Sequence, residues 1–240
     1  MKTFFPVAIA LILAAASASA QAKTIEAEFA RSSQGGQTIR PHSDEFLNIN
    51  EFLRSTLKKG EELVLEAKGD LNNDRISDWA GIVKRPKAAF QSTIQLYVLV
   101  RQGPAGSYRM AATTGEQPHG GMGCCWVEDL QIKRSSIFIQ NIVKSHTDIE
   151  TAFHQFKLID GKWRLIGLRI VYLDRRLDAL KETDINMLTG TMIVKKQTGN
   201  KKPIVTRQKK TISEHVLENF DFENDFGIRE DESPSNVADM

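Results

Sequence analysis

The sequence predicts a mainly β protein: an antiparallel sheet sandwich or a partial propeller-like β domain, with a short N-terminal helix. From residue 63 onward, short segments rich in β-branched and aromatic residues alternate with turn-forming residues. Two of these segments are joined by Asp160-Gly161, a strong hairpin signal because both residues tolerate positive φ. No segment recurs at a fixed period, so a complete propeller is not expected.

The first residues have the layout of a bacterial secretory signal peptide. In "MKTFFPVAIALILAAASASAQAK", Lys2 precedes an apolar run that is too short to span about 30 Å of hydrocarbon. Small residues follow, and cleavage after Ala20 or Ala22 fits them; we place it after Ala22. The sequence therefore predicts a signal peptide over 1–22 and a periplasmic or secreted protein with no transmembrane segment after cleavage.

The charge balance argues against polyanionic partners. Removal of the leader takes Lys2 from the 32 basic residues, which leaves 31 against 30 acidic residues. A nearly neutral chain gives no general field that would hold nucleic acid or an anionic membrane. We expect one β-rich domain over 23–227 and a disordered acidic tail over 228–240.

One helix is predicted before the strands. In "DEFLNINEFLRSTLKKGEE", Phe46, Phe52, Leu53 and Leu57 recur at helical spacing, and Gly60 is a plausible end. The strands are predicted at 63–67, 79–84, 93–101, 108–113, 130–133, 137–144, 152–158, 163–172, 187–195 and 204–209.

The strand after Asp160-Gly161 is predicted to lie in the centre of a sheet, because both of its faces are partly apolar. Strict alternation divides its apolar residues into two sets: Trp163, Leu165 and Val171 on one face, and Ile166, Leu168, Ile170 and Tyr172 on the other.

The stretch "GDLNNDRISDW" between the first two strands has the spacing of a calcium loop. Counted from Asp70, oxygen donors fall at positions one, three, five and nine, namely Asp70, Asn72, Asp74 and Asp78, and Ile76 at position seven offers its carbonyl. Calcium takes six to eight oxygen ligands, and alternate side chains of a tight loop converge on one point. The spacing therefore predicts a structural Ca²⁺ site.

This stretch carries a resemblance to a known family. "LVLEAKGDLNNDRISDWAGIV" resembles the integrin-type calcium loop of FG-GAP and VCBS repeats. More widely, the run from this loop through "GGMGCCW", "FKLIDGKWRLIGL", "NMLTG" and "LENFDF" is similar to a group of uncharacterised bacterial periplasmic proteins. The wider resemblance covers roughly residues 60 to 222 and implies the β fold and the compartment.

Arg75 supports a different interpretation of the loop. It occupies position six, where such loops usually have Gly for a sharp turn. Its guanidinium can replace a metal by pairing with Asp70 or Asp74, which would leave a metal-free structural turn.

The two cysteines are neighbours in "QPHGGMGCCWVED". In an oxidising compartment Cys124 and Cys125 can form a vicinal disulfide through a strained ring, which the flexible glycines around them would permit. Alternatives are a thiol-dependent envelope enzyme or redox protein that uses Cys124 or Cys125 with His119, and a metal site of the same residues.

The remaining polar patterns are weaker. "KKQTGNKKPIVTRQKK", residues 195–210, is a basic cluster that fits an acidic partner surface, a polysaccharide or a solvated charged hairpin. Phe220, Phe222 and Phe226 are expected to dock the start of the acidic C-terminal segment onto the body.

The predicted function is a non-catalytic periplasmic binding protein that recognises another protein or an envelope component. A toxin-neutralising immunity-type protein is one form of this function. Trp126, beside the glycine-rich loop, is the predicted contact residue, because aromatic anchors carry binding energy at interfaces.

Overall fold

Two antiparallel sheets face each other across one apolar core. The computed structural model describes residues 45–87, 92–119 and 126–221. The signal peptide predicted over 1–22 and the tail predicted over 228–240 lie outside the described residues. Within these ranges, no helix is long and apolar enough to span a membrane.

The first sheet, called the six-stranded sheet, has the spatial order β1-β5-β4-β3-β2, and β6 pairs with β4 beyond the end of β5. Its strands are β1 (Glu45–Phe46), β2 (Glu62–Gly69), β3 (Asp78–Pro86), β4 (Ser92–Arg101), β5 (Tyr108–Thr113) and β6 (Gln117–His119).

The second sheet, called the seven-stranded sheet, runs in chain order from one edge to the other. Its strands are β7 (Trp126–Lys133), β8 (Ser136–Lys144), β9 (Asp148–Ile159), β10 (Lys162–Asp174), β11 (Ala179–Asn186), β12 (Thr191–Thr198) and β13 (Ile204–Lys209). The predicted strands at 108–113 and 204–209 coincide with β5 and β13 and are confirmed.

The main core lies between the sheets, which makes the fold a sandwich. Ile82 and Leu96 of the six-stranded sheet and Phe156 and Leu168 of the seven-stranded sheet belong to one buried cluster. Burial of this apolar area is the main favourable contribution to folding. Phe220 closes the core beside the 3-10 turn Leu217–Asn219 and is 1% exposed, as predicted. Phe222 and Phe226, predicted to dock with it, lie outside the described residues.

A second, smaller core lies on the opposite face of the six-stranded sheet, under the helix α1 (Ile49–Thr56). Asn48 caps the helix, because its side-chain oxygen accepts the N–H of Glu51 over 3.0 Å. Phe52 points inward and makes edge-to-face contacts with Trp79 and Tyr97 at centroid distances of 5.6 and 5.3 Å. The predicted short helix is present, but it is shorter than predicted, because Phe46 lies in β1 and the helix ends at Thr56, before Gly60.

β4 shows why the middle of the six-stranded sheet is apolar on both faces. Ile94, Leu96 and Val98 belong to the main core, whereas the alternate residues Tyr97 and Leu99 belong to the core under α1. Successive side chains of a strand point to opposite faces, so both faces of β4 are covered.

A bulge in β10 overturns the predicted division of its side chains. β10 lies in the centre of its sheet, as predicted, but its pairing with β9 skips Ile166, since Leu165 pairs with Phe156 and Gly167 with Gln155. The extra residue shifts the alternation, so Leu168 joins Leu165 in the main core instead of lying opposite to it. Ile170 likewise packs against this core.

The strand predicted at 187–195 is wrong at its beginning. Met187 to Gly190 form a turn, and the strand before it, β11, is absent from the prediction. Gly190 has φ +67°, and a Cβ atom there would lie 2.0 Å from the carbonyl oxygen of Lys210. The turn therefore requires glycine at this position.

Candidate functional site

The polar loop between β2 and β3 holds the predicted calcium ligands. Its backbone turns sharply, with positive φ at Asn73 (65°) and Arg75 (68°). Arg75 thus has the left-handed conformation that position six of a calcium loop requires, although it is not glycine.

Asp78 anchors the loop and is fully buried. One carboxylate oxygen accepts the N–H of Leu71 over 2.7 Å, and the other accepts the N–H of Arg101 over 2.9 Å. Burial raises the pKa of Asp78 to about 6, although the two backbone hydrogen bonds act to lower it. The nearby negative charges of Asp74 and Asp70 also raise this pKa.

The other predicted ligands bond to the loop itself. Asp70 accepts the N–H groups of Asp74 (3.2 Å) and Arg75 (2.8 Å). Asp74 accepts the N–H of Ile76 over 2.7 Å and the amide of Asn72 over 2.9 Å. The loop is therefore held by carboxylates that satisfy its backbone donors.

The structure does not bring the Arg75 guanidinium to the acidic residues. Among the residues that the structure describes, it forms no ion pair with Asp70 or Asp74; its backbone N–H makes the contact instead. In the same described ranges, no three His, Cys, Asp or Glu side chains form a group arranged to hold a metal ion.

Asn73 is a residue of this loop that the sequence did not indicate. Its side-chain oxygen accepts a hydrogen bond from Ser135, in the turn between β7 and β8. Beside it, Gly69 packs so closely against Ile132 that an added Cβ would lie 2.6 Å from that side chain. The loop is therefore fastened to both sheets.

Trp126 lies at the start of β7 and is 48% exposed. The ring of His119, which is 7% exposed at the end of β6, contacts it edge-to-face with centroids 5.3 Å apart. The His119 carbonyl also accepts the hydroxyl of Ser92 over 2.7 Å. The exposed indole thus packs against a buried side chain of the neighbouring sheet.

The cysteines of the predicted disulfide, Cys124 and Cys125, lie outside the described residues, as does the glycine-rich stretch around them. The described part of the chain brings only the flanking residues His119 and Trp126 of this region together. Other histidines have structural positions: His154 is buried in the core against Phe220, with ring centroids 4.8 Å apart.

Comparison with models of protein families, with curated proteins and with solved structures finds no match to this chain.

Proposed function

We propose that the protein is a non-catalytic binding protein of the periplasm that contacts a partner protein or an envelope component through Trp126. The observation that carries this proposal is the geometry of Trp126 itself, an indole that is half exposed and yet supported by buried His119.

A supported aromatic side chain is a favourable anchor. Tryptophan is enriched among the residues that dominate binding energy at interfaces. The edge-to-face contact with His119 restricts the indole before binding, so little side-chain entropy is left to lose. The exposed face of Trp126 is then free to enter a pocket of the partner.

We also propose that the loop from Asp70 to Asp78 binds Ca²⁺ weakly and thereby stabilises the fold. Support comes from its resemblance to the integrin-type loop, from the positive φ of Arg75 and from the mutual repulsion of Asp70, Asp74 and Asp78. A divalent cation would neutralise that repulsion. Binding is weak because Asp74 and Asn72 must first give up their mutual hydrogen bond.

The binding function is tested by affinity capture from periplasmic extract with four forms of the chain. The wild type, the double variant C124S/C125S and the control L177A are expected to recover the same partner, whereas W126A loses at least nine-tenths of it. Leu177 is a matched control because it is 50% exposed and lies in the turn after β10. Equal recovery by W126A would contradict the role of Trp126, and loss in C124S/C125S would favour the thiol-dependent alternative.

A further inference from the structure

The edge strand β13 is open on one side. It ends the seven-stranded sheet and, within the described ranges, pairs with β12 alone. All six of its residues are exposed. Such an edge presents a row of backbone N–H and C=O groups that can accept another strand.

The hairpin formed by β12 and β13 is strongly basic. Residues 191–210 include seven basic residues and no acidic one. The basic residues are Lys195, Lys196, Lys201, Lys202, Arg207, Lys209 and Lys210. In the described part of the chain, no ion pair engages Arg207 or Lys209.

Alternation along β13 places Val205, Arg207 and Lys209 on one face. On this face the register sets Lys195 of β12 beside Val205 and Ile193 beside Arg207. A strand added to the open edge would therefore meet an apolar side chain at one end and two cations at the other.

Lysine on an edge strand also protects against aggregation. Protection alone does not explain the apolar end of β13, because Ile204 and Val205 are 56% and 60% exposed. Exposed β-branched residues in an unpaired edge invite pairing, and the adjacent cations then select which strand can pair.

We propose that β13 binds an extended acidic segment of a partner protein as an additional antiparallel strand. Main-chain hydrogen bonds to the open edge hold the segment, and carboxylates at alternate positions face Lys209 and Arg207. An apolar residue two positions further on faces Val205. In the direction of the partner chain, its sequence reads acidic-x-acidic-x-apolar.

This site is independent of the surface around Trp126, because β7 and β13 form opposite edges of the seven-stranded sheet. A negative result for the β13 site therefore does not contradict the proposed role of Trp126, and the reverse also holds.

The test uses the full chain and the blocked peptide TETETVIT, with titration followed by amide hydrogen exchange of residues 204–209. Binding should slow exchange of these amides. The variant R207E/K209E is expected to bind this peptide at least tenfold more weakly and to bind the peptide TKTKTVIT at least tenfold more tightly than the wild type does. Such a reversal of preference between the two peptides requires a folded variant, so simple unfolding cannot produce it.

Two controls separate strand pairing from general charge attraction. The variant K201E/K202E makes the same charge change in the connection before β13 and should weaken binding of TETETVIT less than threefold. A peptide N-methylated at alternate residues keeps its charge but loses main-chain donors, and it should bind at least tenfold more weakly. Equal effects of the two double variants, or full binding of the methylated peptide, would overturn the proposal.

Other occupants of the edge would give different results, and each would overturn the proposal. A second copy of the chain would appear as a dimer that R207E/K209E dissociates. Occupation by the chain's own acidic end would make E230Q/D231N/E232Q bind TETETVIT at least tenfold more tightly than the wild type.

Discussion

The carboxylate of Asp78 accepts the backbone N–H of Arg101 over 2.9 Å, and this bond fastens the loop after β2 to the end of β4. Its other oxygen accepts the N–H of Leu71 within the loop. One buried side chain thus satisfies two backbone donors from segments that are far apart in sequence.

Asp78→Ala is expected to lower the free energy of unfolding by about 2–4 kcal/mol, because one buried and one partly buried backbone donor lose their acceptor. The measurement is urea denaturation followed by circular dichroism at pH 7. Asp74→Ala serves as the control, since Asp74 is exposed and its bonds compete with water; a loss below about 1 kcal/mol is expected. Equal losses in the two variants would contradict the anchoring role of Asp78.

The raised pKa of Asp78 gives stability a specific dependence on pH. Between the ordinary pKa of 3.8 and the folded-state pKa of about 6, the folded protein keeps a proton that the unfolded chain has released. The contribution of Asp78 to stability therefore falls as pH rises through this window and is constant above it.

The wild type and Asp78→Asn are compared by urea denaturation from pH 4 to pH 7. The contributions of all other titrating groups cancel in the difference between the two unfolding free energies. The wild type should lose about 1–3 kcal/mol of stability relative to the variant across this range. A constant difference between the two proteins would mean that Asp78 does not titrate in this window.

Calcium is expected to raise the melting temperature of the wild type. For a site with a dissociation constant of about 1 mM, 10 mM Ca²⁺ adds about 1.4 kcal/mol of stability. In a domain of this size the gain corresponds to a rise of about 3–6 °C, measured by scanning calorimetry. Asp74→Ala should abolish the rise, and an unchanged wild-type melt would refute the calcium site.

Phe220→Ala should destabilise the protein by about 3–5 kcal/mol, because it removes a ring that is 1% exposed and that contacts Phe156 at a centroid distance of 4.9 Å. Leu188→Ala is the control: Leu188 is 60% exposed in the turn before β12, and a change within about 0.5 kcal/mol is expected. Similar urea midpoints for both variants would show that the segment around Phe220 does not complete the core.

Export predicts a mature protein that begins at Lys23. Intact-mass spectrometry of the protein from the periplasmic fraction should give the mass of residues 23–240. Recovery of the full-length precursor from the cytosol would contradict both the leader and the proposed place of action.

The sequence predicts those features of the fold that depend on neighbouring residues. The Asp160-Gly161 turn has φ values of 50° and 76°, as expected from residues that tolerate the left-handed region. β11 lacks such a signal, because Lys181, Glu182 and Asp184 interrupt its apolar pattern. Pairing with β10 and β12 makes it a strand, and that pairing is a tertiary effect.

The features of the candidate site also fall into those that the local sequence predicts and those that depend on tertiary packing. Spacing alone identifies the acidic residues of the loop and the strained position of Arg75. It does not reveal the bond between Asn73 and Ser135, because these residues are 62 positions apart and only the packing of the sheets brings them together. Nor does it reveal that His119 supports Trp126, since that contact joins two different sheets.

The affinity of the captured partner for Trp126 variants tests the proposed function most directly. Isothermal titration calorimetry with the purified partner should show a Kd at least about 30-fold weaker for Trp126→Ala than for the wild type, as expected for an anchor residue worth about 2 kcal/mol. Trp126→Phe should lie between them, because it keeps part of the apolar surface. A Kd for Trp126→Ala within twofold of the wild-type value would contradict the proposal that this indole anchors the partner.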